Sequence, residues 1–67
     1  MKISYYRETD SLYIDLSEKE GVDSREVAPG VVLDFDQEGQ LVGIDIDNAS
    51  KILDLTKLET TAIPLMP

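Results

Sequence analysis

Two stretches of this chain, VVLDFD (Val31–Asp36) and LVGIDID (Leu41–Asp47), alternate in polarity on either side of the polar connector QEGQ. Pairing Phe35 with Val42, Leu33 with Ile44 and Val31 with Ile46 gives one wholly apolar face. A slip of one residue sets Leu33 against Gly43 and Val31 against Asp45. Successive strand side chains point to opposite faces, so such a slip would invert all of them, and a pattern that matches rung by rung specifies a hairpin. This register leaves either a two-residue turn, Glu38-Gly39, or a four-residue loop from Gln37 to Gln40, with Gly39 supplying positive φ in both cases.

The N-terminal segment passes the same test. KISYY and SLYIDLS flank the polar connector RETD. Pairing Tyr5 with Leu12 brings Ile3 opposite Ile14 and Met1 opposite Leu16, while Ser4 meets Tyr13 and Lys2 meets Asp15 on the other face. The last is an opposite-charge cross-strand pair worth a few tenths of a kcal/mol, roughly. Between the hairpins, Glu18–Gly21 reads as a loop, SREVA as an edge strand blunted by Arg25 and Glu26, and Pro29-Gly30 as a turn. Arg25 is a minor candidate for an anion contact.

After Asp47 the period changes. Asn48, or Asp47 before it, is a good N-cap, and Ala49, Ile52 and Leu53 form one stripe of a short helix with Ser50 in its first turn. Leu55 and Leu58 fall outside that stripe, so a helix extending to Leu58 would spread apolar residues over too wide an arc for one packing surface. The terminal TTAIPLMP adds Ile63, Leu65 and Met66 between prolines, an apolar arm expected to dock on another subunit. The expected architecture is α+β: an antiparallel sheet of four to five strands built from two β-hairpins, with one short C-terminal helix. It occupies residues 1–58 as a single domain, followed by an apolar tail over 59–67.

The run from Asp34 to Asp45 also imitates a calcium-binding EF-hand loop, with carboxylates at its first, third, fifth and twelfth positions and glycine at the sixth. Its flanks have the period of strands, however, and its last position holds Asp45 where that motif closes with a bidentate glutamate. The hairpin reading sends Asp34, Asp36, Asp45 and Asp47 to the face opposite Leu33, Phe35, Ile44 and Ile46, with Asp34 and Asp45 as diagonal neighbours roughly 7 to 8 Å apart. No metal is assigned; a weak calcium or magnesium site on those four aspartates is the alternative to their contacting basic groups of a partner.

The chemistry available to the chain is narrow. Histidine and cysteine are both absent, which removes zinc, disulfides, the usual general base and the strongest nucleophile. No motif activates any serine, and Tyr5, Tyr6 and Tyr13 serve as sheet side chains, so no enzyme and no cofactor are expected. Fourteen acidic against six basic residues, a net charge of -8, disfavour direct contact with nucleic acid or anionic membranes and favour a basic protein partner. No apolar run approaches a membrane span or a signal peptide, and the expected location is the cytoplasm. With 67 residues, near the lower limit for an independent core, a homodimer is expected.

The residues Leu12-Tyr13-Ile14, Arg25-Glu26-Val27, Pro29-Gly30-Val31, Asp34, Asp36, Glu38-Gly39 and Val42-Gly43-Ile44, in that order, resemble a family of short bacterial and archaeal proteins classed as a domain of unknown function, of the DUF2283 type. The resemblance covers Lys2 to about Lys51 and implies no activity or catalytic residues. By analogy it implies an antitoxin-like neutraliser of a basic partner. The expected function is therefore that of a non-catalytic acidic protein-interaction module. The contact candidates are Asp34, Asp36, Asp45 and Asp47 on the polar face and Leu55, Leu58, Ile63 and Leu65 beyond the helix.

Overall fold

The alternating segments form five strands, β1 (Lys2–Tyr6), β2 (Ser11–Asp15), β3 (Asp23–Ala28), β4 (Val31–Phe35) and β5 (Leu41–Ile46), followed by a helix of one turn, α1 (Ala49–Ile52). The computed structural model describes residues 1–65. All neighbours are antiparallel, in the order β1-β2-β5-β4-β3, so the two N-terminal strands pair with the far end of a β3-β4-β5 meander. The fold is α+β, mostly sheet. Among the described residues no helix is long and apolar enough to cross a membrane.

The first hairpin has the register set by its sequence, with Lys2 opposite Asp15, Ile3 opposite Ile14 and Tyr5 opposite Leu12. In the second, Leu33 faces Ile44 and Val31 faces Ile46 as expected, but Phe35 faces Leu41 rather than Val42. The connector accounts for the difference. The Asp36 N–H donates to the Gln40 carbonyl at 2.8 Å and the Gly39 N–H to the Asp36 carbonyl at 3.0 Å, which leaves a three-residue loop with Gly39 at φ 80°. An odd loop puts the strands out of phase by one residue. A β-bulge at Val42 absorbs that residue and restores the apolar register beyond it.

The acidic connector is a hairpin bend and not a helix-flanked ion loop. Asp36 Oδ1 accepts the N–H groups of Glu38 and Gln40, each at 2.9 Å. The carboxylate thus binds its own turn, as aspartate commonly does in turns.

SREVA belongs to edge strand β3, which Pro29-Gly30 joins to β4, with Gly30 at φ 78°. The guanidinium of Arg25 stacks 5.2 Å from the centre of the Phe35 ring, a cation–π contact that occupies it within its own chain.

Helix α1 ends sooner and is capped differently than the sequence implies. Asn48 is in the left-handed region at φ 53° and makes no side-chain cap. The capping acceptors come from Asp10 in the β1–β2 turn, whose carbonyl accepts the Ala49 N–H at 2.8 Å and whose carboxylate accepts the Ser50 N–H at 3.1 Å and the Ser50 hydroxyl at 2.7 Å. Leu53 is already extended, so Leu55 and Leu58 follow in irregular chain and need not share a helical face.

The buried apolar set among the described residues is Val42 (3% exposed), Ile46 (8%) and Ala49 (0%). These lie in or beside β5 and α1; on the apolar face of the sheet Ile3 and Tyr5 are exposed and Leu12, Ile14, Val31, Leu33 and Ile44 only half-buried. Ile63 and Leu65 are exposed, and Met66 lies outside the described residues.

Candidate functional site

The polar face of the sheet gathers around Asp34. Tyr13 on β2 reaches across β5 and donates its hydroxyl to Asp34 Oδ2 at 3.0 Å, while Ser24 on β3 donates to Asp34 Oδ1 at 2.7 Å. Residues of three strands therefore meet on one carboxylate, and both of its oxygens are engaged.

Gly43 makes this possible. It stands between Tyr13 and Asp34 in the sheet, and a Cβ at this position would overlap the phenol of Tyr13. With no side chain there, the Tyr13 phenol passes close over the backbone of β5 at Gly43. The β2–β3 loop closes over one side of the cluster: a Cβ on Gly21 would sit 3.5 Å from Asp34 Cβ and 3.6 Å from Val42 Cγ2. Val42, displaced by its bulge, thus packs under this loop and next to Asp34.

Asp45 is directly opposite Tyr13 on one side and Val32 on the other, which makes it the diagonal neighbour of Asp34, as the register requires. Its carboxyl is pushed above the usual aspartate range, first by burial and then by the negative charges of Asp47 and Asp34. The Tyr13 phenol is likewise raised, by burial, by its bond to Asp34 and by the charges of Asp34, Asp15 and Asp45. Asp47 is exposed and accepts a long hydrogen bond from Ser11 at 3.4 Å. This face is consequently an acidic surface with Asp45 at its centre.

Asp36 does not belong to it. Its side chain is buried in the β4–β5 turn, and its second oxygen, Oδ2, has no hydrogen-bond partner and lies 4.0 Å from the Lys19 ammonium. The expectation that Asp36 projects with Asp34, Asp45 and Asp47 is therefore corrected: the turn claims its carboxylate for backbone amides. Among the described residues no three carboxylates come together in an arrangement able to hold a metal ion.

The apolar candidates lie elsewhere. Leu55 and Leu58 line a groove of about 480 Å³ with Leu53 from the C-terminal segment and Ile3, Tyr5, Leu12 and Ile14 from the apolar face of β1 and β2. Ile63 and Leu65 do not line it. Sequence reasoning overlooked Tyr13, Ser24 and Gly43 as a unit. The available signal was a glycine inside an otherwise aliphatic strand, which marks close approach of another group.

Comparison with known proteins adds a family and no activity. The model of a family described as a protein of unknown function (DUF2283) matches residues 2–50. An uncharacterized protein of Methanocaldococcus jannaschii is 38% identical over 61 residues, which is 88% of this chain and 50% of the relative. The chain thus spans about half the length of the curated relative it matches. No solved structure matches it.

Proposed function

The chain belongs to the DUF2283 family, whose description assigns no activity, and we propose that it is a non-catalytic acidic module, cytoplasmic in location, that binds the basic surface of a protein partner. The observation carrying this reading is Asp45. It is held half-buried beside Asp34 and Asp47 with its carboxyl pushed up by burial and by those charges. Among the described residues the ion pairs are Lys19 with Asp36 and Glu38, and Lys57 with Glu59, so none of the chain's own cations answers Asp34, Asp45 or Asp47. A lysine or arginine from outside would relieve the repulsion and find the Tyr13-Asp34-Ser24 cluster already ordered beside it. Neutralising a basic partner, in the manner of an antitoxin, is the finer form of the same reading.

The test is affinity capture with the wild-type protein, followed by kinetics on whatever basic protein is recovered. Steering between opposite fields is screened by salt, so association should slow as salt rises and slow again in Asp45→Asn/Asp47→Asn. A captured partner whose association ignores both salt and these substitutions would refute the reading.

A further inference from the structure

We infer that the groove between the apolar face of β1 and β2 and the C-terminal segment is the contact surface for a second copy of this chain, through a two-fold symmetric interface. This goes beyond the proposed function and rests on the opposite side of the sheet.

Three observations carry it. The first is area. The chain exposes 5569 Å². A folded monomer of 7.5 kDa is expected to expose about 4,200 Å² by the area–mass scaling of monomeric proteins. The excess of about 1,300 Å² belongs to the chain as a whole, the exposed residues 59–65 outside the groove included, and it is larger than the roughly 800 Å² that each partner contributes to an ordinary stable interface.

The second is coverage. Five strands spaced about 4.8 Å apart make a sheet about 20 Å wide, whereas four residues of helix at about 1.5 Å each span about 6 Å. Helix α1 cannot back the sheet, and Ile3 (47% exposed) and Leu58 (75% exposed) are left open at the groove.

The third is charge. The groove is lined by seven apolar or aromatic residues with a single acid, Asp54, and a single base, Lys57. Asp34 and Asp45 stand on the other face. Two copies can therefore approach groove to groove without the net charge of -8 concentrated between them. In a two-fold arrangement the same patch serves both subunits, and Leu58 of each copy enters the groove of the other.

The test is sedimentation equilibrium on the full chain across a wide concentration range. The wild type should sediment at twice 7.5 kDa. Ile3→Asp and Leu58→Asp, at positions exposed in the isolated chain, should each weaken association roughly 100-fold or more, because a two-fold contact feels each substitution twice. Asp45→Asn should leave association unchanged, which separates this inference from the proposed function. Isotope-filtered NMR on a mixed labelled and unlabelled wild-type sample should give intermolecular contacts among Ile3, Leu12, Ile14 and Leu58 methyls, a result independent of how the variants fold. A wild type that stays monomeric at millimolar concentration, including one whose groove takes up an apolar dye instead, overturns the inference. So does a dimer lacking those methyl contacts or indifferent to both substitutions.

Discussion

Replacing Gly43 by alanine sets two rules against each other. In a strand interior, glycine costs about 0.5–1 kcal/mol relative to alanine through its backbone entropy, so propensity alone makes Gly43→Ala stabilising. The fold says otherwise, because a Cβ at 43 occupies the place of the Tyr13 phenol. The ring must swing off the sheet and release Asp34. A hydrogen bond to a charged acceptor contributes about 1.5–3 kcal/mol, and partial exposure places this one near the lower end. Loss of the ring's contact with the β5 backbone adds about 1 kcal/mol for some 40 Å² of apolar area. Set against the entropy gain, the net loss is about 1.5–2 kcal/mol, or roughly 6–16 °C in Tm for a domain of this size. Urea unfolding of Gly43→Ala, Tyr13→Ala and the double variant completes the cycle. In the Tyr13→Ala background the slot is empty, and Gly43→Ala should then stabilise by about 0.5–1 kcal/mol. A Gly43→Ala protein as stable as the wild type, or the same effect in both backgrounds, would refute the account of the site.

Asp45→Asn should raise Tm at pH 7. A carboxyl whose folded pKa lies above its unfolded value contributes stability below the unfolded pKa and loses it as pH rises through the folded one, so the advantage of the variant should fade as acid protonates the wild type. Asp10→Asn should act in the opposite sense. Hydrogen bonds from Ser50 and then Tyr5 hold the Asp10 carboxyl below its ordinary value, so its contribution is present above the unfolded pKa and lost as pH falls through the lowered one. Differential scanning calorimetry of both variants from pH 3 to 7 should show Tm differences of opposite sign that converge in acid. Calcium at millimolar concentration should leave Tm unchanged, since Asp36 is occupied by its turn; a rise equivalent to more than about 1 kcal/mol would put cation binding on the acidic face ahead of protein binding.

The parts of the fold that were legible share a cause. The registers of Ile3 with Ile14 and of Leu33 with Ile44, the edge strand around Arg25 and the Pro29-Gly30 turn all follow from period two and local turn chemistry, which neighbouring residues determine. The bulge at Val42 was not legible, because it follows from loop parity, and parity depends on whether the Asp36 side chain captures the amides of Glu38 and Gln40. Pairing of β2 with β5 is a contact between distant segments that no local pattern announces. The Tyr13-Gly43-Asp34 cluster exists only through that pairing, and the cap on α1 comes from Asp10, 40 residues before Ser50. Of the four aspartates, Asp34 and Asp45 were placed by strand periodicity and Asp47, one residue past β5, stays close enough to act on Asp45, while Asp36 escaped because the amides of Glu38 and Gln40 capture its carboxylate.

The two faces of this sheet explain one another. A chain of 67 residues whose sheet has little helix behind it has small reserves of stability, and such a chain has reason to shed any group that opposes folding. Asp45 is such a group, and asparagine would be nearly isosteric there. Departures from local consistency are expected where binding demands them, which agrees with the proposed role of the acid toward a partner. The same logic makes the open apolar face necessary rather than incidental. Stability given up on the Asp34 side can be recovered where it does not interfere with that surface, and the groove of Ile3, Ile14 and Leu58 is an open apolar area on the other side of the strands. Burial there by the proposed second copy would add stability through the β1–β2 hairpin, and β2, paired to β5 through Tyr13 opposite Asp45, carries that hairpin directly beside the acidic centre.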